Sequence, residues 1–333
     1  MGATLMRIPI AVVRGGYSGE SVISMQSAAN MMAAVDHARF DPWFVTITPQ
    51  GWSCSTPEEV PIPFDRGGFA CVQDGHVIPF RMALIAIHGT PGENGLLQGY
   101  LDMLGIPYQT GGVLNMALTF SKHSTTAILR EMGFRVAPSV LLTSPQDPMA
   151  GLALAQVGLP CFVKPDASGS SLGISKVKHA SELKAALEVA FKECDAVMVE
   201  GAVQGRELTC GVIAPGAPPQ ALPVCEIVHS HEFFDYEAKY HATDTREIVP
   251  ASIPDAVAAL CQERSVAIFK ALRCRGMARV DHIWTGDELV TIEVNTTPGF
   301  TAASILPKML AAAGIAPSTL VNALLTDALQ PAR

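Results

Sequence analysis

The chain has 333 residues, of which 49% are hydrophobic and 16% are charged, and its formal net charge at pH 7 is −8. This composition allows a large apolar core and excludes a disordered chain. The acidic balance argues against a general nucleic-acid binder, which would present a basic face, and the length predicts two or three domains.

Cysteine usage and hydropathy indicate the cellular setting. The eight cysteines include no Cys-x-x-Cys pair, which argues against a zinc knuckle or a disulfide framework. The N-terminus lacks a basic region followed by a long apolar run, and no uncharged apolar run approaches the ~20 residues of a membrane span. We therefore expect a cytoplasmic protein without a membrane partner.

The first third of the chain alternates strands with helices. Its predicted elements are a strand at 8–13, a helix from Ser18 as N-cap to about residue 35, strands at 44–48 and 83–87, and a helix ending near 104. Apolar runs indicate the strands, and apolar residues at helical spacing indicate the first helix. This alternation predicts a parallel α/β sheet.

The remaining two thirds mix strands and helices without an internal repeat. The predicted elements are a helix at 121–132, strands at 161–164 and 174–177, a helix at 181–193 with Ser181 as N-cap, strands at 196–200 and 207–213, a helix at 254–272, and a hairpin of 277–284 with 289–294.

The hairpin carries the most informative polar residues. Glu293 and Asn295 are two residues apart on one strand, so both side chains point to the same face. A loop of about three residues centred on Asp287 would place Asp281 opposite Glu293. Two carboxylates and an amide oxygen form an oxygen-only site that suits magnesium with a nucleoside triphosphate. Spacing alone leaves a solvated sheet face equally open, but the breaker-rich continuation 296–301 favours a function.

A glycine-rich turn at 168–173 follows Lys164, which ends an apolar strand. Such a turn can direct backbone N–H groups at phosphates, although most such turns only connect strands. No G-x-x-x-x-G-K-[ST] motif occurs, which excludes a P-loop, and no G-x-G-x-x-G motif follows the first strand. His88 also ends an apolar strand, at the position where ligands bind in α/β sheets.

Taken together, these stretches resemble the D-alanine–D-alanine ligase family of the ATP-grasp superfamily, in its Bacteroidetes-type branch. The motifs are His88-Gly89, Gly92-Glu93-Asn94-Gly95, Gln98-Gly99, Ile106-Pro107-Tyr108, Val163-Lys164-Pro165, Gly169-Ser170-Ser171, Gly205-Arg206-Glu207-Leu208-Thr209, Phe234-Asp235-Tyr236-Glu237-Ala238-Lys239-Tyr240, Ala278-Arg279-Val280-Asp281 and Glu293-Val294-Asn295-Thr296-Thr297-Pro298-Gly299-Phe300-Thr301. Their number and order, nearly from end to end of the chain, make the resemblance highly specific.

The resemblance implies an α/β (α+β) ATP-grasp fold. An N-terminal parallel α/β substrate domain (1–112) would precede a central ATP-grasp subdomain with the glycine-rich flap (113–198) and a C-terminal subdomain with the magnesium site and the substrate loop (199–333). The two ATP-grasp subdomains would clamp ATP between them.

The resemblance also implies the activity: ATP-dependent ligation of two D-alanines to D-alanyl-D-alanine through an acyl phosphate. The dipeptide serves peptidoglycan synthesis, and hence cell wall biogenesis and cell shape. ATP as a substrate, two Mg²⁺ or Mn²⁺ ions, and a homodimer are the implied ligands and assembly.

Roles carry over from the family motifs residue by residue. The implied ATP contacts are Lys122, Lys164, Ser168, Ser171, Glu200, Val203, Glu207 and Lys239. The implied metal ligands are Asp281, Glu293 and Asn295, and the implied substrate contacts are His88, Ser304, Ile305 and Glu20. Arg279 and the Gly299 N–H would stabilise the oxyanion, while Ser170 would meet Tyr240 when the flap closes over the site.

Two positions depart from the family pattern near the first substrate's ammonium. Val22 stands where the family's glutamate is expected, and Ser168 stands where an acidic residue usually precedes the glycine. Glu20 is the substitute that remains, but on a helix it would point about 200° from Val22, which argues against a simple exchange of roles.

Three alternatives remain open. A D-alanine–D-lactate type ligase differs in its second substrate, and Tyr240 favours an amine over it. A ligase whose first substrate lacks an amino group is permitted by Val22 and Ser168. A non-catalytic nucleotide-binding or regulatory protein is disfavoured by the complete set of motif residues.

Overall fold

A computed structural model describes residues 7–169, 172–216, 218–228 and 246–330. Ser170, Ser171, Lys239 and Tyr240, which are predicted to act in the flap and in the loop that closes over the site, lie outside these ranges.

The N-terminal region is built on a five-stranded sheet with the order β4-β3-β2-β1-β8. Its strands are β1 (Ile8–Gly15), β2 (Phe40–Thr48), β3 (Gly51–Ser55), β4 (Pro61–Ile62) and β8 (Ala83–Ile85). β1 is parallel to β2 and β8, as the alternation predicts. β3 and β4 add an antiparallel edge, because only two residues join β2 to β3 and so short a connection cannot cross over.

A smaller antiparallel sheet lies between β4 and β8 in the sequence. It contains β5 (Phe64–Asp65), β6 (Ala70–Gln73) and β7 (His76–Pro79). Phe69, directly before β6, packs edge-on against Tyr100 with ring centroids 6.0 Å apart. This contact joins the small sheet to the helix Leu96–Met103. These short strands carry too few residues to show an apolar period, so the sequence did not predict them.

Two helices accompany the N-terminal sheet, α1 (Ser21–Ala34) and α2 (Leu96–Met103). The prediction of Ser18 as N-cap is wrong, because α1 begins at Ser21 with Glu20 at the cap. Ser18 Oγ instead accepts the Glu20 N–H and donates to the His88 carbonyl, over 3.3 Å and 3.2 Å. Ser18 therefore joins the loop after β1 to the loop after β8.

The central region contains an antiparallel sheet with the order β11-β10-β12-β9. Its elements are α3 (Val113–Phe120), α4 (Lys122–Glu131), β9 (Ser139–Leu142), α5 (Ala150–Val157), β10 (Cys161–Pro165), β11 (Ser175–Val177), α6 (Leu183–Ala190) and β12 (Val197–Gly201). The predicted domain boundary at 112/113 falls directly before α3, whereas that at 198/199 falls within β12; the division itself stays a prediction.

A short 3-10 turn, Ala180–Glu182, leads into α6. The prediction of Ser181 as the N-cap is wrong, because His179 takes the cap position and Glu182 closes a reciprocal capping box with it. The Glu182 carboxylate accepts the backbone N–H groups of Lys178 and His179 over 2.7 Å and 3.2 Å. This carboxylate places the start of the turn one residue before Ser181.

The C-terminal region contains a sheet with the order β16-β15-β13-β17-β18, and β14 pairs with β13. Its elements are β13 (Arg206–Ala214), β14 (Gln220–Ala221), β15 (Cys225–Val228), β16 (Arg246–Ile248), α7 (Asp255–Ala271), β17 (Gly276–Trp284), β18 (Leu289–Asn295), α8 (Ile305–Ala312) and α9 (Pro317–Ala328).

The last two helices complete the core of the N-terminal region. Leu310, Leu324 and Leu325 share one buried cluster with Met31 on α1 and Phe40 on β2. No single helix within the described ranges is long and apolar enough to cross a membrane, and only the pair α8 and α9, bent by 104°, passes by length and composition.

Candidate active site

A cavity of about 540 Å³ is lined by residues of the N-terminal, central and C-terminal regions. It brings together most of the predicted site residues: Glu20, His88, Lys122, Lys164, Ser168, Glu207, Arg279, Asp281, Glu293, Asn295, Gly299, Ser304 and Ile305. Residues far apart in sequence thus line a single space.

The predicted register of the β17–β18 hairpin is confirmed. Asp281 pairs with Glu293 and Arg279 pairs with Asn295. A β-bulge lies between Asp281 and His282, where one strand gains a residue and the side chains after it are re-aimed. Within the described residues no group of three or more His, Cys, Asp or Glu side chains could hold a metal ion. Two carboxylates and one amide nevertheless fit Mg²⁺, which fills its remaining positions with phosphate and water.

Arg279 makes a two-pronged ion pair with Asp281. Nε donates to Oδ1 over 2.9 Å and an Nη donates to Oδ2 over 2.8 Å. Thr209, on the neighbouring strand β13, donates to the same Oδ1 over 2.5 Å. Burial opposes the charge on Arg279, but Asp281 outweighs it and holds the pKa of the guanidinium above its usual value.

The two predicted phosphate-binding lysines approach the cavity from different elements. Lys122, the first residue of α4, donates from Nζ to the Ser168 carbonyl over 2.5 Å and lies 3.8 Å from Glu293. Lys164 on β10 pairs with Glu200 over 2.6 Å. Both ammonium groups are mostly buried, so each needs an anionic or carbonyl partner.

Glu200 and Val203, predicted as nucleotide contacts, do not line the cavity. Glu200 is 2% exposed, and its Oε1 has no hydrogen-bond partner in the part of the chain that the structure describes. An unpartnered buried oxygen of this kind is costly unless a ligand or water supplies a donor.

Glu93 is a cavity residue to which sequence reasoning assigned no role. Its Oε2 accepts the Gly89 N–H over 2.6 Å. Burial, followed by the charge of Glu20, raises the pKa of Glu93 to about 8. The signal was present in the sequence, since a glutamate in a loop at the carboxyl end of a parallel strand lies where ligands bind.

Glu20, and not Val22, faces the cavity. Glu20 lines it with His88, whereas Val22 is 63% exposed and lies outside the lining. The prediction that the two side chains point in nearly opposite directions assumed that both residues lie on the helix. That assumption is wrong, because Glu20 precedes α1. A methyl group at Gly169 would overlap the Glu20 carboxylate, so the glycine-rich turn packs directly against this side chain.

The loop after β18 brings the remaining residues that were predicted to contact substrate to the cavity. Ser304 is the N-cap of α8, and its Oγ accepts the Thr301 N–H over 3.1 Å. A Cβ at Gly299 would lie 2.7 Å from Ser304 Oγ, so a side chain there would displace the Ser304 hydroxyl. The first turn of α8, from Ile305, leaves backbone N–H groups available to an anion.

Apolar residues form the opposite part of the cavity wall: Phe162, Ile174, Ile227, Ile283 and Ile292. Phe162 precedes Lys164 by two residues on β10, and its ring centroid lies 5.4 Å from the lysine Nζ. Because successive side chains alternate along a strand, Phe162 and Lys164 lie on the same face of β10. A wall of this kind suits a flat aromatic group.

Two antiparallel sheets that both line one cavity, with Lys164 on one and a carboxylate hairpin on the other, are the architecture of an ATP-grasp protein. Family models identify which ATP-grasp family this chain matches. A model described as D-ala D-ala ligase N-terminus matches residues 9–111, and one described as D-ala D-ala ligase C-terminus matches residues 128–326. The chain belongs to the D-alanine–D-alanine ligase family.

Individual relatives agree over nearly the whole chain. A D-alanine–D-alanine ligase of Porphyromonas gingivalis is 43% identical, covering 97% of this chain and 99% of its own length. A protein of the same name from Phocaeicola vulgatus is 40% identical over 93% and 96%.

Solved structures give the same result. The VanG D-Ala:D-Ser ligase from Enterococcus faecalis superposes with a TM-score of 0.86 at 32% identity, covering 96% of this chain and 99% of that one. The D-alanine–D-alanine ligase from Bacillus anthracis complexed with ATP superposes with a TM-score of 0.77 at 32% identity, covering 97% of each chain.

Proposed function

We propose that this protein joins two D-alanines to D-alanyl-D-alanine, converting ATP to ADP and phosphate, and so supplies peptidoglycan synthesis, cell wall biogenesis and cell shape. The observation that carries the proposal is the meeting, in one cavity, of two lysines, a carboxylate hairpin and Arg279 beside the loop 296–304. The names of the relatives, D-alanine–D-alanine ligases, agree with it.

The first step transfers the γ-phosphoryl group of ATP to the carboxylate of the first D-alanine, giving an acyl phosphate and ADP. Lys122 and Lys164 would neutralise the phosphates, because both reach the cavity from partly buried positions. Asp281, Glu293 and Asn295 would hold two Mg²⁺ or Mn²⁺ ions, which supply electrostatic stabilisation of the transferred group. Glu207 would contact the nucleotide, as would Glu200 and Val203 after closure.

The second step is attack of the second D-alanine's amine on the acyl carbon, with loss of a proton and departure of phosphate. Arg279 and the Gly299 N–H would stabilise the oxyanion of the tetrahedral intermediate. Ser304 and Ile305 would receive the second carboxylate at the N-terminus of α8, where the helix dipole favours an anion.

Glu20 would bind the ammonium of the first D-alanine. Its carboxylate lies in the cavity wall beside His88 and packs under Gly169. Glu93 approaches the same end, but with a pKa of about 8 it is largely protonated at neutral pH, so Glu20 supplies the negative charge. The placement supports an amine on the first substrate even though Val22 and Ser168 remove the family's usual acids.

Other parts of the proposal rest on the family motifs alone. Ser168, Ser170 and Ser171 would cover the phosphates, and Lys239 and Tyr240 would close over them and exclude water. We further propose a homodimer in the cytoplasm, which size-exclusion chromatography with light scattering and cell fractionation would test.

The second-substrate preference has a specific competitor. A structural neighbour is named a D-Ala:D-Ser ligase, and a D-lactate type ligase and one with an amine-free first substrate share the same fold. The first test is ADP release with Mg²⁺, ATP and D-alanine alone, or D-alanine with D-serine or D-lactate, or D-lactate alone, with products identified by mass spectrometry. Dipeptide from D-alanine alone would support the proposal, and turnover only with an amine-free acid would overturn it.

A further inference from the structure

The loop after β18 is bonded to helix α1 on the C-terminal side of Gly299. The Phe300 N–H donates to Ser27 Oγ over 3.0 Å, and Asn30 Nδ2 donates to the Phe300 carbonyl over 3.0 Å. Ser27 and Asn30 lie three residues apart and therefore on one face of α1. The position of the loop thus depends on a helix from the opposite end of the chain.

His88 contacts the same loop on the N-terminal side of Gly299. Burial lowers the pKa of His88, whereas a hydrogen bond to the Thr297 backbone raises it. A contact that favours the protonated ring is one in which the ring donates, so the Thr297 carbonyl is the acceptor. The Nε2 atom of the same ring lies 3.3 Å from Ser27 Oγ.

Ser27 Oγ accepts the Phe300 N–H, so its own hydrogen is available to His88 Nε2. Ser27 is 1% exposed and His88 is 6% exposed, so water does not compete for these bonds. Ser27 is thereby bonded both to the loop and to His88.

We infer that Ser27 and His88 are positioning residues that fix the Gly299 N–H against the acyl group. The inference rests on the proposed function, which assigns that N–H to the oxyanion. A displacement of about 1 Å at such a donor can cost on the order of 10²-fold in rate. The acyl phosphate would still form without the Ser27 hydroxyl, but the slower attack by the amine would leave it to be hydrolysed to D-alanine and phosphate.

Ser27→Ala tests this directly, with Ser24→Ala as the matched control. Ser24 lies one turn earlier on α1 and is equally buried, but its Oγ accepts the Gly15 N–H over 3.0 Å and does not contact the loop. The readout is the amount of dipeptide formed per ADP released, together with the KM for ATP. We expect Ser27→Ala to lower the dipeptide yield per ADP at least about threefold with an unchanged KM for ATP. Ser24→Ala should lower stability to a similar degree and keep the yield near that of the unsubstituted protein.

Equal yields per ADP in both variants would overturn the inference, because Ser27 would then act only through stability. Hydrogen exchange of the ligand-free protein provides a readout that needs no turnover. Faster exchange at residues 297–301 in Ser27→Ala, and not in Ser24→Ala, is expected; equal exchange there would also overturn the inference. If the unsubstituted protein makes no dipeptide while this difference in exchange persists, the proposed function fails and the positioning of the loop stands.

Discussion

Individual side chains in the cavity are held in charge-compensated pairs. Arg279 with Asp281 and Lys164 with Glu200 are the clearest examples, at 2.8 Å and 2.6 Å. A nucleotide and its metal ions must therefore compete with the existing ion-pair partners of these side chains, because the charges are already paired. Glu20 and Glu93 differ from these pairs, since burial and mutual repulsion raise the pKa of Glu93.

Loss of the Arg279 guanidinium should stop ligation while leaving nucleotide binding intact. Removing one oxyanion donor costs about 10²–10³-fold in kcat, so we expect Arg279→Ala to lose at least that much. Calorimetric titration with a non-hydrolysable ATP analogue measures the binding. Ligation near the unsubstituted rate would contradict the role proposed for Arg279.

Neutralising Glu20 should weaken the first D-alanine. A hydrogen bond to a charged group contributes about 1.5–3 kcal/mol, so Glu20→Gln should raise the KM for the first D-alanine about 10- to 100-fold. Val22→Ala is the control, because Val22 is exposed and outside the cavity lining. Initial rates over a range of D-alanine concentrations separate the KM values for the first and second D-alanine. An equal rise in the KM for the first D-alanine in Glu20→Gln and Val22→Ala would contradict the role proposed for Glu20.

Glu93 should make stability depend on pH. Its pKa is about 8 in the folded protein and near 4.5 when unfolded, so between these values the unfolded chain has released a proton that the folded chain keeps. The free energy of unfolding should therefore fall as the pH rises through this range. Glu93→Gln should flatten that decline in urea unfolding at several pH values, and equal slopes in both proteins would contradict the prediction.

Secondary-structure elements were predictable where period and turn chemistry agreed. The β17–β18 register followed from the loop around Asp287, and both sides of the hairpin were placed within one or two residues. The strands β3–β7 were missed because they are short and paired only with one another or with β2. The cap at Ser181 failed because the Glu182 side chain closes a capping box with His179. The cap at Ser18 failed because its hydroxyl bonds to the His88 carbonyl, while α1 begins after Glu20 without a side-chain cap. No local pattern could show that α1 contacts Phe300, since 273 residues separate Ser27 from it.

The contact between the glycine-rich turn and Glu20 should be sensitive to a side chain at Gly169. Gly169→Ala should push the turn away from Glu20, because the added methyl overlaps the carboxylate, and kcat should fall about tenfold or more. Gly151→Ala, on α5, meets nothing within 4 Å and should be neutral or stabilise by about 0.5–1 kcal/mol. Similar rates in the two variants would show that the turn tolerates displacement.

At the scale of the molecule, the core unites the two ends of the chain. Leu324 and Leu325 of α9 pack in one cluster with Met31 and Phe40. Leu325→Ala should lower the free energy of unfolding by about 2–5 kcal/mol, in a transition that secondary structure and tryptophan fluorescence report together. Leu114→Ala, at a side chain 72% exposed, should change it by less than about 0.5 kcal/mol. Separate transitions by the two probes would show that the regions unfold independently.

This closure of the core has a consequence for synthesis on the ribosome. β1, α1 and β2 are synthesised first, but the buried face of α1 is covered only after residues 305–328 have been synthesised. Until those helices emerge, apolar side chains such as Met31 stay exposed to other nascent chains and to chaperones. A ribosome stalled shortly before α8 should therefore hold an N-terminal region more sensitive to protease than the same residues in the finished protein.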